Sequence, residues 1–407
     1  MSNVECRKEM GYILPRMLSG QLQHLVKRSR LIEIPAPDFD LAITLGSGQV
    51  FHWEKLGAGF VGVIGDRPVY VEQCGNLLKA QAGARKLDGL KPSSSDAAKD
   101  GAREVAAIVA NYFALDHPLA EICASFPVDP AMSASKEFCR GLRIIRQPTW
   151  ECLATFICSS MKQVAQIRQI SGKLRERFGE RRKITLERSI ENTDDGSAAP
   201  LRAVGCSEPE ARAMVIDSAS PTFVSSELAT GRVRPVGGQG TARSTQTYTT
   251  FRFPSADRIA DSSERELRKC ALGYRAKNLL ASARLIASGD VDLKKLAALT
   301  DLDLRARLCE LPGVGAKVAN CVMLFAYERL RAFPIDVWIE RVLREKYFPR
   351  ARRLNAARLQ AFTEGYFGDH GGYAQQYLFH HARKTARRSR TIGATQSKRR
   401  RLSQSRV

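Results

Sequence analysis

The stretch that most constrains this chain runs from Leu311 to Asp336, LPGVGAKVANCVMLFAYERLRAFPID. Pro312, Gly313 and Gly315 keep the residues before Ala316 out of a helix interior, since glycine favours turns and positive φ. From Lys317 to Arg329 no breaker occurs, and Val318, Val322, Phe325 and Ala326 recur at helical spacing. The pattern predicts a tight turn opening directly into a helix. Such a turn leaves backbone N–H groups facing outward, a ready seat for a phosphate. Lys317 falls in the first helical turn, where the macrodipole disfavours a cation. A lysine placed against its electrostatic preference points to a task. Pro334, Ile335 and Asp336 then close the element. The same residues also suit a plain turn, a solvated lysine and an aspartate that caps the helix from Val337, so the rest of the chain has to decide.

At 407 residues the chain is long enough for two or three domains with their own cores. A hydrophobic content of 44% and a charged content of 26% are those of a globular protein. No apolar run approaches the ~20 residues of a membrane span, and the N-terminus lacks a secretory pattern. An intracellular location is expected, nuclear in a eukaryote and cytoplasmic in a prokaryote, with no membrane partner. Ten scattered cysteines without a CxxC pair suit reduced thiols. Charge is the strongest compositional signal. The chain carries 64 Lys and Arg against 42 Asp and Glu, net +22, and from Arg350 onward there are 14 basic and 2 acidic residues. An excess of this size favours a polyanion, nucleic acid by default, over a merely solubilising surface.

In chain order, residues 1–30 read as an N-terminal extension. From Leu41 the texture is β: LAIT, FHWEKL, GFVGVIG, RPVYVEQ and NLLKAQA are short runs broken by glycines, an antiparallel meander. Residues 83–102 read as a loop, and helical periodicity begins at Val105 and continues to about Lys183. Residues 184–249 are rich in Ser, Thr, Gly and Ala, too long for a loop in a compact domain, and are expected to be a largely disordered insertion. Helices resume at Ser255, with Leu293–Cys309 leading into the glycine turn and others continuing through GGYAQQYLFHHARK. Residues 386–407 form a basic tail. The expected fold is α+β: an N-terminal antiparallel-sheet domain with helices over 31–130, then an all-α domain over 131–183 and 250–385.

LPGVG-x-K followed by Ile335-Asp336 resembles the helix-hairpin-helix and aspartate of the base-excision DNA glycosylase superfamily, in the bifunctional members whose lysine is the nucleophile. SGQVFHW (Ser47–Trp53), YFALD, RQPTWECLATFICSS and LGYRAK (Leu272–Lys277) are similar to the 8-oxoguanine DNA glycosylases of that superfamily. The resemblance covers Leu41 to about Gly179 and resumes beyond the insertion. It implies base excision from duplex DNA containing an oxidised purine, strand cleavage by the same enzyme, no cofactor, no metal and a monomer.

The chemistry accounts for the residue types. Releasing a base from deoxyribose needs a nucleophile at C1′ and stabilisation of a positively charged sugar. A lysine amine attacks only when neutral, against a free pKa of about 10.4. Burial and a positive helix N-terminus both disfavour the ammonium, and Lys317 is where both are expected. Asp336 suits the second task. The base must also leave the duplex to be reached. For that pocket the resemblance implies Gly48, whose carbonyl reads the N7 proton of 8-oxoguanine, Cys321 under the flipped base, Pro334 lining the site, and Gln375 and Phe379 binding the base edge and ring. Gly313, Gly315 and Val318 in the hairpin, with Met161, Gln166, Tyr274 and Arg275, are the implied DNA contacts.

Three positions depart from the family pattern. Met161, Lys162 and Gln163 stand where asparagines fill the vacated stack. Gln166 replaces an arginine that contacts the orphaned cytosine, and Trp338 replaces a phosphate-binding histidine. Two other classes compete: a glycosylase for another damaged purine, such as the alkylpurine enzymes that usually lack the lysine, and a non-catalytic hairpin module that grips phosphate. Iron–sulfur members need four closely spaced cysteines after the aspartate, and no cysteine follows Cys321.

Overall fold

The computed structural model describes residues 31–83, 95–189, 225–227 and 243–386. The expected extension 1–30, most of the insertion and residues 387–407 of the tail lie outside them. No helix among the described residues is long and apolar enough to cross a membrane.

Strands β1 (Ile32–Pro35), β2 (Glu54–Leu56), β3 (Gly59–Ile64), β4 (Arg67–Cys74) and β5 (Leu77–Ala82) form one antiparallel sheet in the order β1-β5-β4-β3-β2. β2 to β5 are the expected meander, and β1 adds to its far edge in the register Ile32↔Ala80. The turn before β3, at Gly57, and those before β4 and β5, at Gly65 and Gly75, take positive φ. The LAIT run is a helix, Leu41–Gly46, rather than a strand. The Asp40 side chain accepts from the Ile43 N–H, and Leu41, Thr44 and Leu45 form the buried face. A run this short carries strand and helix spacing equally. Helix Ser95–Tyr112 likewise begins inside the expected 83–102 loop, where Ala97 and Ala98 favour helix. It packs Val105, Val109 and Tyr112 on Phe39, Trp53, Val69 and Leu78 of the sheet core.

The second core is helical and larger. Its centre is helix Thr149–Ser159, buried at every position from Glu151 to Ser159, as expected of a helix apolar on all sides. Around it stand helices Val164–Phe178, Arg275–Ala287, Asp301–Cys309 and Ala316–Ala326, with a C-terminal helix over residues 371–386. The fold is α+β, as expected.

The two ends of the 184–249 segment differ from the reading. β6 (Arg181–Ser189) pairs antiparallel with β8 (Arg243–Phe251), and β7 (Ser225–Glu227) borders β8. Ile184 and Tyr248 are in register and buried. Gln81 Nε2 donates to Thr185 O at 2.8 Å, which ties this ribbon to β5. The Thr- and Tyr-rich run 245–250 is a good strand former, but each strand's partner lies on the other side of the insertion. Cys74 is disulfide-bonded, whereas the other described cysteines are free thiols.

Candidate active site

The glycine turn is built as its spacing predicts. Gly313 has φ +83°, and a Cβ there would lie 2.8 Å from the Asn278 Cβ, so both conformation and space demand glycine. Ser282 Oγ donates to Pro312 O at 2.9 Å and ties the turn to helix Arg275–Ala287. Gly315 is extended and caps helix Ala316–Ala326 without a side-chain bond; a Cβ there would meet nothing within 4 Å. An anion can therefore approach the first N–H groups of the helix, which have no intrahelical acceptor. Val318 is buried in the helical core.

Lys317 is half-buried at the start of that helix. Its Nζ donates to Ser159 Oγ at 3.2 Å and lies 5.1 Å from the centroid of the Phe156 ring. Cys321, one turn later, is buried, which pushes its thiol up to about 11 although the charge of Lys317 pulls it down. Asp336 caps helix Val337–Val342: its Oδ1 accepts from the N–H of Trp338 at 3.0 Å and of Ile339 at 2.9 Å. Burial lifts this carboxyl above its usual value, against the cap bonds and the charge of Lys317. Lys317, Cys321 and Asp336 thus form one electrostatically coupled cluster. Among the described residues no group of three or more His, Cys, Asp or Glu side chains could hold a metal ion.

Gly48 has φ +92°, and a Cβ there would lie 3.1 Å from Phe379 Cε1, so the turn and the ring stand in contact. Gln375, four residues before Phe379, shares its helix face. It is buried, and its Oε1 accepts no hydrogen bond from the described residues. Pro334 is buried two residues before Asp336.

On the outer side, Met161 has φ +52° and is 95% exposed, a backbone conformation that costs a non-glycine residue and recurs at functional sites. Gln166 is exposed, and its Oε1 accepts from the Gln163 N–H at 3.2 Å. Tyr274 is exposed and covers the buried Arg275 guanidinium, 4.4 Å from its ring centroid. Arg275 donates through Nε to Ser160 O at 2.8 Å, with Nη2 on the same carbonyl. Trp338 is half-buried, with the Arg341 guanidinium 5.5 Å from its ring centroid. Sequence reading missed Ser159 and Phe156 beside Lys317; both lie in the CLATFICSS run, where composition marks only a buried helix.

Known proteins resemble this chain in sequence and in fold. The family model for the 8-oxoguanine DNA glycosylase N-terminal domain matches residues 31–153. A probable N-glycosylase/DNA lyase of Methanothermobacter thermautotrophicus is 36% identical over 126 residues, 31% of this chain but only 39% of that relative. The N-glycosylase/DNA lyase OGG1 of Arabidopsis thaliana is 25% identical over 366 residues, covering 86% of this chain and 78% of the plant protein. A solved structure of MBOgg1 in complex with a low affinity DNA ligand superposes with a TM-score of 0.63 at 26% identity, over 88% of this chain and 98% of that one. The family model spans the sheet domain and the start of the helical one. In sequence and fold the chain is similar to the 8-oxoguanine DNA glycosylase/lyases of the helix-hairpin-helix superfamily.

Proposed function

We propose that this chain is a bifunctional DNA N-glycosylase and abasic-site lyase that removes 8-oxoguanine from duplex DNA. Residues 31–130 serve as the sheet domain, and 131–183 with 250–385 as the helix-hairpin-helix domain. The observation that carries this reading is Lys317: it leads out of a phosphate-accepting turn, feels the charge of Asp336 and is not ion-paired with it. The names of the relatives, N-glycosylase/DNA lyase, support the same reaction class.

In this mechanism the turn at Gly313 and Gly315 takes a backbone phosphate on its N–H groups and registers the duplex. Met161 fills the gap left by the extruded nucleotide, an apolar wedge doing the work of a stacked base. In the pocket the Gly48 carbonyl accepts the N7 proton that 8-oxoguanine has and guanine lacks. Gln375 meets the Watson–Crick edge, where its unpartnered Oε1 gains a donor, and Phe379 stacks on the ring. The neutral amine of Lys317 attacks C1′ as the base leaves with the bonding electrons. Asp336 holds negative charge beside the developing oxocarbenium ion. Ring opening gives an imine between Nζ and C1′, loss of a C2′ proton follows, and β-elimination expels the 3′ phosphate. Cys321, kept neutral by burial, lies under the base without competing as a nucleophile.

The test is a duplex oligonucleotide with 8-oxoguanine opposite cytosine, assayed for base release, strand nicking and borohydride trapping. The wild type yields all three and a covalent adduct. Lys317→Gln yields no adduct while still binding the duplex. An adduct of undiminished yield in that variant would assign the nucleophile elsewhere.

A further inference from the structure

The C-terminal helix carries two working faces, and the second has no part in the mechanism above. Gln375 and Phe379 lie on one. Gln376 and Arg383, seven residues apart, share the adjoining face, and the Arg383 guanidinium also lies 5.5 Å from the centroid of the Phe379 ring. That second face grips the turn holding Gly48. Arg383 Nη2 donates to Gly46 O at 2.6 Å, and the buried Gln376 donates through Nε2 to Ser47 O at 3.2 Å. On the far side of the turn, Gln147 Nε2 donates to Gln49 O at 2.7 Å. The Gln49 side chain is itself held at both ends, Oε1 by the Ile145 N–H and Nε2 on Arg143 O, each at 2.8 Å.

Three of four consecutive carbonyls are therefore occupied by side chains. The fourth, that of Gly48, accepts no hydrogen bond from the described residues. A peptide unit is planar and turns only about its flanking φ and ψ, so fixing the planes on both sides of the Gly48 carbonyl fixes its direction. An acceptor left bare in a turn held this tightly is preorganised for a donor that is not protein.

We infer that Gln376 is a specificity-determining positioning residue: its bond to Ser47 O, seconded by Arg383 on Gly46 O, aims the Gly48 carbonyl at the N7 proton of the lesion. The inference rests on the proposed 8-oxoguanine reading of the site. It separates two jobs in neighbouring residues, Gln375 touching the base and Gln376 touching only the turn.

Gln376→Glu keeps the shape but replaces the donor with lone pairs that repel Ser47 O. Two single-turnover measurements on the full chain separate its effects: excision of 8-oxoguanine opposite cytosine, and borohydride trapping at a preformed abasic site, which needs no base reading. Excision should fall about tenfold or more, as expected for a misplaced reading group, while trapping keeps its wild-type rate. Lowering the pH should restore excision relative to wild type, because a protonated carboxyl donates again. A merely structural role would show no such recovery. If Gln376→Glu does not fold, Arg383→Gln must show the same selective loss, to a smaller degree. Unchanged excision, or equal loss in both assays, would overturn the inference. A wild type that traps abasic sites but spares 8-oxoguanine would overturn the lesion assignment and the aimed carbonyl with it, an outcome visible before any variant is made.

Discussion

The two ends of helix Thr149–Ser159 hold a cation and a carboxylate in opposite ways. At its N-terminal end Glu151 and Arg175 are both buried and in direct contact through Oε1 and Nη2. Arg175 Nη1 also donates to Phe251 O at 2.9 Å, and its guanidinium lies 5.3 Å from the centroid of Phe253. His52 Nδ1 stands 3.4 Å from the same Glu151 oxygen, and burial holds this histidine well below its ordinary value, hence neutral. At the C-terminal end, Lys317 rests on a serine hydroxyl and an aromatic ring, while Asp336 accepts hydrogen bonds from the first N–H groups of the helix it caps. The first arrangement is closed: each charge has its partner, and what it holds together is the junction of sheet, helix and β8. The second is open. Its charges sense each other without neutralising, so both remain available to a substrate. A buried ion pair argues for architecture, and opposite charges kept apart argue for chemistry.

The largest effect expected from breaking this contrast is at Lys317. Lys317→Gln should remove covalent trapping altogether with little change in melting temperature, because no ion pair is lost. Next comes Asp336→Asn, which should slow base release by about 10²–10³-fold, the scale of a lost transition-state electrostatic contact, with binding nearly intact. Asparagine still caps a helix, so a collapse in melting temperature would reassign the residue to structure. The pH profile sharpens this point. Burial raises the Asp336 carboxyl above 3.8, and only the ionised form stabilises the sugar cation, so excision should fall as pH drops through that raised value. Asp336→Asn should flatten this acid limb.

At the closed end the signature reverses. Glu151→Ala leaves a buried guanidinium unpaired, which costs about 3–5 kcal/mol of stability, while trapping by the folded fraction persists. Acid should also loosen this end. The unfolded chain takes up a proton at His52 below about 6.5 that the folded chain refuses, so stability declines as pH falls below that value. Denaturant midpoints at pH 7 and pH 5, for the wild type and for His52→Gln, measure the difference. A Glu151→Ala protein as stable as wild type would remove the distinction.

The smallest effect concerns the opposite strand. Arg275 behaves like Arg175 rather than Lys317, its guanidinium committed to Ser160 O. In the proposed complex, with Met161 and Gln166 facing the opposite strand, an estranged cytosine would meet few donors. One arginine reading a base edge contributes roughly 1–3 kcal/mol of discrimination. Single-turnover rates opposite the four bases should therefore favour cytosine by less than about a hundredfold. A larger preference would mean that Arg275 leaves Ser160, or that Lys162 or Gln163 reads the base.

Features with local causes were legible in the chain before any fold was known. The Pro–Gly turn, the lysine in the following first turn and the aspartate cap each depend on a few adjacent residues, and all are present in the structure as read. The meander was equally legible, since alternation and glycine turns act over short spans. Leu41–Gly46 was not, because six residues carry both periodicities and only burial against the sheet chose helix. The β6–β8 ribbon escaped for a different reason: a strand needs a partner, and this partner lies across the whole insertion. Tertiary structure alone decided which charges are closed and which open. Glu151 and Lys317 look alike as single charges in helical runs, and only the fold gave Glu151 an arginine and Lys317 a serine. The same holds for Gln375 and Gln376, adjacent and identical in type, separated in task because a helix turns about 100° between them.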